Sequence, residues 1–446
     1  MPIAVQGENG SAATFAAACV LVVGFGLSIE EALPLLGQYS DRCQPPWSDK
    51  ELLHKLEDAA KKAGEEPEMV GHLRGNNALN TLITSGGSQL ADDTAVAAAP
   101  TPEPPHQSAY HGLAGTVVRA IEPHTEAAPV GLLVQFLVLF GNLIGRSAHF
   151  VAEGARHYMN LYAVMVGLTG KGRKGSSYAQ VRRVLESVDP DWAQSRVQSG
   201  LSSGEGLIWA VRDPIEKDEP IKDKQTKEVT GYQKVMTDLG VADKRLMVFQ
   251  AEFASVLKVM AREGNTLSDL IRLGWDTGDL QSMTKNTPAQ ATGAHISIVG
   301  HITRDEAREY LNRTEMANGF ANRFLWAFIR RSKLLPHGGN LASVNFTPIH
   351  KELSEAVHFA KGCKELSRDA GADALWAEAY PMLSEGLPGL LGAILGRAEA
   401  QVMRLACLYA LLDRSAVVRP PHLLAAIALW RYFENSGSSG GSARRG

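Results

Sequence analysis

The stretch "LYAVMVGLTGKGRKGSSYAQVRRVLESV", residues 161–188, joins an apolar run, a glycine-rich turn and an amphipathic run. The apolar run shows no polar alternation, so it predicts a strand buried on both faces. A buried strand that passes through a short loop into a helix commits this part of the chain to an α/β fold with mainly parallel strands. The turn also has the parts of a phosphate cradle. Glycines let backbone N–H groups converge, lysines add charge, and hydroxyls stand where the helix begins. Its spacing departs from G-x-x-x-x-G-K-[ST]. Gly167 and four residues lead to Gly172, but Arg173 follows, Lys174 comes one place late, and Gly175 separates it from Ser176. Lys171 and Lys174 compete for the outer phosphates of a bound ATP, and Lys174, beside the helix start, is the choice. Gly170, Gly172, Arg173, Gly175 and Ser177 line the same loop, and Ser176, ahead of Ser177, is the expected Mg2+ ligand. The competing reading is a basic surface turn.

The neighbouring segments extend the pattern. "RVQSGL", "RLMVFQ", "AHISIVGHI" and "RFLWAFIRR" read as further strands, with helical patterns between them. Phosphate hydrolysis needs a carboxylate near a strand end to hold magnesium or orient water. Glu252, just past "RLMVFQ", fits that place, although Gln250 stands where an aspartate is usual; the alternative is that Glu252 caps the next helix. Glu205 in "SGLSSGEG" competes as the base, or is a first-turn acid favoured by the helix dipole. His301 ends a strand and is read either as a γ-phosphate sensor or as a hydrogen-bonded structural residue. Arg323, before the last strand, is read as an arginine finger acting on a neighbouring subunit or as a salt-bridged arginine. Trp275, Asp276, Lys285 and Asn286 read as residues facing DNA or nucleotide or, the stronger reading, as packing and loop residues. The charged piece at residues 213–238 predicts an exposed loop or hairpin.

The flanks differ. Residues 1–75 read as a helical domain, with capping boxes at Ser28/Glu31 and Ser48/Glu51. Residues 76–109, poor in large apolar side chains towards their end, read as a disordered linker. Residues 110–336 form the expected core, residues 337–435 a helical region, and residues 436–446 a disordered tail. The 45 basic and 48 acidic residues give a formal charge of −3, so bulk charge makes no case for nucleic acid. Four scattered cysteines and no signal-peptide pattern at the N-terminus point to a reduced, cytoplasmic setting. Residues 130–145 are the most apolar segment. They fall short of the ~18–20 residues of a membrane span and read as a buried helix.

In order along the chain, "HGLAGTVVRAIEPHTEAAPVGLLVQFLVLFGNLIGR", "NLYAVMVGLTGKGRKGSS", "SGLSSGEGLIWAVRDP", "GVADKRLMVFQAEFASVL", "GNTLSDLIRLGWD", "TGAHISIVGHIT" and "NGFANRFLW" resemble the YfjI-like domain-of-unknown-function family. These are P-loop proteins of bacterial genomes, phages and mobile elements, often fused to or encoded beside DNA primases and regarded as helicase-like ATPases. Within that group "KGRKG[ST]S" is the usual form of the loop. Residues 10–62 resemble the helical segment that follows the catalytic domain of primase–polymerases, while no D-x-D or matching His motif precedes Gly10. The resemblance implies a RecA-like ATPase core binding ATP and Mg2+. It also implies a ring-shaped homo-oligomer acting in replication of a mobile element, with single-stranded DNA and a primase as partners. A nucleotide-binding adaptor that recruits a primase without significant hydrolysis is the alternative.

Overall fold

In a computed structural model, the chain divides into two compact units, Met1–Val96 and Ala97–Gly446. The structure describes residues 10–43, 45–65, 102–167, 173–283, 289–311, 313–386 and 389–441. The first unit is helical. Gly10–Cys19 runs into a wider turn at Val20–Gly24, followed by Ile29–Ser40 and Asp49–Glu65. The first capping box forms: Ser28 Oγ accepts the Glu31 N–H while Glu31 takes the Ser28 N–H; the second forms by half, Glu51 taking the Ser48 N–H at 2.9 Å while its own N–H donates to Ser48 O. Leu36, Leu52 and Leu56 fill its core.

The second unit is built on a five-stranded, all-parallel sheet. Its strands are β1 (Tyr162–Gly167), β2 (Val197–Gln198), β3 (Arg245–Gln250), β4 (His295–Thr303) and β5 (Phe324–Ile329). Their order across the sheet is β5-β1-β4-β3-β2. β1 is flanked on both sides by strands far from it in sequence, with Thr303 and Ile329 both level with Gly167.

Strand residues alternate between two cores. Ala163, Met165, Val299, Leu325 and Ala327 face one cluster, and Tyr162, Val164, Ile296, Ile298 and Trp326 face the other. The first face is covered by α1 (Pro129–Leu143) and by α2 (Lys174–Glu186), which follows β1. The second is covered by α3 (Phe253–Met260), which follows β3, and by Leu267–Asp276. The β1 and β3 connections cross the sheet in opposite directions. Right-handed crossovers then place their helices on opposite faces, as observed.

α1 is buried all round except near its start. Its polar residues therefore bond inward: Asn142 Nδ2 donates to Leu246 O at 3.1 Å and His295 O at 3.0 Å, and Asn142 Oδ1 accepts from Trp192 Nε1 at 2.8 Å. Among the described residues, no helix is long and apolar enough to cross a membrane.

Two stretches differ from the sequence reading. Residues 102–109, assigned to the linker, are packed: Gln107–Tyr110 forms a 3-10 turn, Ala109 is fully buried, and Tyr409 Oη donates to its carbonyl at 2.5 Å. The tail also begins later than expected. The last helix spans Pro420–Gly441, and buried Ser436 accepts the Phe328 N–H at 3.2 Å. Both depend on partners about a hundred or more residues away, which local composition does not register. Residues 76–101 of the expected linker, and 442–446 of the tail, lie outside the described residues. The charged piece forms an exposed hairpin, Ile215–Lys222 with Val229–Asp238.

Removing Asn142 leaves a buried indole donor and two carbonyls without this partner. Asn142→Ala is expected to lose roughly 2–4 kcal/mol of stability, read from urea unfolding. An unchanged midpoint contradicts the role assigned to this amide.

Candidate functional site

In an open parallel sheet, ligands bind beyond the carboxyl ends of the strands, where neighbouring connections leave towards opposite sides. Here that point lies between β1 and β4: the chain leaves β1 for the β2 edge and leaves β4 for β5. Gly167 and Arg173, which flank the glycine loop in sequence, stand at this place. Gly170, Lys171 and Gly172 of the loop lie outside the described residues, as do Lys285 and Asn286. The residues around them define the site.

Arg173 closes the loop in the left-handed region, at φ 55°, and is the N-cap of α2. Its Nε donates to Glu126 Oε2 at 2.5 Å, and Glu126 also accepts the Leu335 N–H at 2.9 Å. The Leu335 N–H and then Arg173 hold the Glu126 carboxyl below its usual range. Arg173 thus ties the end of the loop to the body of the unit.

Lys174 opens α2. A Cβ built on Gly167 lies 2.9 Å from Lys174 Nζ, so the ammonium sits over the end of β1. Burial lowers its pKa, and the charge of Glu306 acts the other way. Glu306 belongs to the capping box of the short helix α4 (Arg304–Tyr310), accepting the Thr303 N–H at 3.0 Å and Thr303 Oγ at 2.8 Å. Lys174 and Glu306 therefore face each other across the β1–β4 crevice.

The two serines separate. Ser176 is exposed, and a Cβ on Gly175 meets nothing within 4 Å, so this part of the first turn is open. Ser177 is buried: its Oγ donates to Lys174 O at 2.7 Å and accepts from Gln135 Nε2 at 2.7 Å. That hydroxyl is committed inward, which leaves Ser176 as the hydroxyl available to a metal.

His301 joins the same network from β4. Gln135 Oε1 accepts from His301 Nε2 at 3.1 Å, which places the proton of a neutral imidazole on Nε2. His301 is 2% exposed, and burial, then the charge of Lys174, push its pKa down to about 3. The chain His301–Gln135–Ser177–Lys174 O is a buried relay linking β4, through α1, to the first turn of α2.

The two carboxylates follow different strands. Glu252 comes one residue after the end of β3 and is exposed; it is the N-cap residue of α3, as the capping alternative has it, but its carboxylate makes no side-chain cap bond. Glu205 is exposed beyond β2 at the sheet edge, where Ser203 caps the helix Gly204–Trp209. With strands ~4.8 Å apart, β3 is roughly 10 Å from the β1 axis and β2 roughly 14 Å, so Glu252 follows the nearer strand. Gln250, turned so that its amide oxygen faces the donors, accepts from Gly200 N at 2.9 Å and Leu201 N at 2.5 Å. It holds the loop that carries Glu205.

Arg323 does not join this site. It precedes β5 at the opposite end of the sheet, about 20 Å from Gly167 at ~3.3 Å per residue. It is 6% exposed and donates to Asp276 Oδ2 at 2.6 Å. The salt-bridged reading describes it, and no exposed guanidinium remains to reach a neighbour.

One group among the described residues brings three potential metal ligands together: His111, Asp413 and His422, far from the loop in sequence. His422 Nδ1 accepts the Arg419 N–H at 3.0 Å, so Nε2 carries the proton and donates to Asp413 Oδ2 at 3.1 Å. A protonated nitrogen has no lone pair for a metal, and the cluster fits a hydrogen-bonded triad instead.

Glu306, Gln135 and Glu126 are site residues that the sequence reading missed. Glu306 carried a signal, since Thr-x-x-Glu directly after a buried strand marks a capping box. Gln135 carried only its oddity inside an apolar helix. No family model matches the sequence, and none of the characterised proteins compared with it is similar.

A histidine with a depressed folded pKa binds fewer protons folded than unfolded. Its contribution is complete above the unfolded value of ~6.5 and is lost as pH falls towards about 3. His301→Gln, which can still donate to Gln135, is expected to reduce the acid slope of stability by up to ~1.4 kcal/mol per pH unit between about pH 6 and 4. His295, depressed in the same direction by burial, keeps the remaining slope from vanishing. Denaturant titrations at a series of pH values check this; an unaltered slope contradicts a neutral buried His301.

Proposed function

We infer that the second unit is a RecA-like P-loop ATPase core that binds Mg2+-ATP in the β1–β4 crevice. One observation supports this reading: Lys174, which directly opens α2 after the glycine loop, is held over the end of β1 at the switch point of an all-parallel sheet. Lys174 contacts the outer phosphates, exchanging the charge of Glu306 for that of the nucleotide. The loop amides and the start of α2 cradle the phosphates, and Ser176 ligates Mg2+. Glu252, the exposed carboxylate that follows the nearer strand, orients the attacking water. The water oxygen bonds to the γ-phosphorus, the bond to the ADP oxygen breaks, and ADP and phosphate leave. Most of the acceleration is positional and electrostatic.

The order of motifs shared with the YfjI-like family supports a helicase-like motor or switch in replication of a mobile element. On this reading it works as a ring-shaped homo-oligomer on single-stranded DNA and is coupled to a primase. Residues 1–75 are the proposed primase-facing part. Arg323 has no place in the proposal, because Asp276 already holds its guanidinium.

A second reading is a nucleotide-binding adaptor that does not turn over. Gln250 favours it, because the position expected to hold magnesium is neutral and hydrogen-bonded to backbone.

ATP binding and hydrolysis by the purified chain, with and without single-stranded DNA, separate the two. Lys174→Ala is expected to weaken Mg2+-ATP binding about 10- to 100-fold, the worth of one charge-assisted bond. Glu252→Gln is expected to retain binding and lose DNA-stimulated hydrolysis. Binding without turnover in the wild type supports the adaptor, and absence of Mg2+-ATP binding contradicts both.

A further inference from the structure

The end of the sheet opposite the glycine loop holds three guanidinium groups around one tryptophan ring. Arg404, from α5 (Ala398–Leu412), lies 3.7 Å from the Trp275 ring centroid. Arg397 lies 5.1 Å from it and Arg323 5.9 Å. Trp275 and Arg404 are each 1% exposed.

Their partners do not balance their charge. Arg323 takes both oxygens of Asp276, at 2.6 Å and 3.3 Å. Arg404 donates only to neutral acceptors: Asn160 O at 2.6 Å, Asn160 Oδ1 at 3.2 Å and Trp275 O at 3.1 Å. Arg397, the N-cap of α5, reaches the already paired Asp276 at 3.5 Å and stays about one-third exposed. His157, near Arg404 and Arg397, is pushed down to about 4 by burial and then by those two cations, so it is neutral at pH 7. Arg146, also near Arg404, has the charge of Asp279 and the Tyr158 ring for itself.

Among the described residues, three cations therefore share one carboxylate, and a buried charge without a partner is costly. Two buried N–H groups in the same place, Arg404 Nε and Trp275 Nε1, also find no acceptor among the described residues. The N-terminus of α5 adds its positive end at Arg397. The excess of two positive charges calls for an anion, the two donors call for an acceptor, and the partly open Arg397 leaves a way in, so one oxyanion would meet all three.

We propose that this is a second anion site, for a doubly charged oxyanion of the phosphate class held by Arg397, Arg404 and the indole N–H edge of Trp275. It is about 20 Å of strand away from the loop and does not depend on the ATPase reading.

Titration calorimetry of the full chain with inorganic phosphate, against chloride at equal ionic strength, tests it. Phosphate binding is expected to persist in Lys174→Ala, which removes the loop's lysine, and to weaken at least tenfold in Arg397→Gln. Loss in Lys174→Ala would place the anion at the loop instead, and undiminished affinity in Arg397→Gln would overturn the site, as would no binding by the wild type. A second measurement needs no variant that must bind. The Trp275 indole N–H resonance, assigned with Trp275→Phe, is expected to move when phosphate is added to the wild-type chain. An unmoved resonance at saturating phosphate contradicts the proposal.

Discussion

A helix with almost no solvent-facing side must satisfy its polar side chains internally, and α1 has two of them at the centre of the unit, Gln135 and Asn142. An amide buried without partners costs a few kcal/mol. Each is bonded to elements distant in sequence. Asn142 fastens α1 to β3, to β4 and to Trp192. Gln135 fastens it to α2 and β4. These bonds fix the register of α1 on the sheet, and the sheet in turn sets where the loop after β1 opens. The apolar side chains of α1 supply most of the burial, but they are interchangeable in a way that the two amides are not.

The chemistry of the crevice follows from that register. Ser177 is drawn inward by Gln135, so α2 presents Ser176 outward. His301 is kept neutral by burial, so the positive charge beside the loop is that of Lys174. Glu306 stands opposite, held by Thr303, and moderates a lysine that burial would otherwise weaken as a cation. The relay through Gln135 couples β4 to the start of α2, which carries Lys174.

The strands were legible because parallel strands buried on both faces appear as unbroken apolar runs, and "RLMVFQ" became β3 residue for residue. The loop was legible from glycine, lysine and serine between a strand and a helix. What escaped the sequence reading depends on distance along the chain. Ser176 ranked ahead of Ser177 from its place in the loop, but nothing local showed that Gln135, 42 residues earlier, holds the Ser177 hydroxyl inward. Arg323 looked available until Asp276, 47 residues earlier, paired with it. The proline-rich residues 102–109 looked like linker because their partner, Tyr409, comes 300 residues later. Propensity and spacing report local choices, and these three were settled by tertiary contacts.

The account rests on a nucleotide entering between β1 and β4. Hydrogen exchange of the full chain, with and without Mg2+-ATP, tests this without requiring turnover. The predicted result is slowed exchange at the start of α2, residues 173–178, together with the β4–α4 junction, residues 303–306. No slowing at either segment, or slowing confined to the opposite end of the sheet around Trp275, would contradict it.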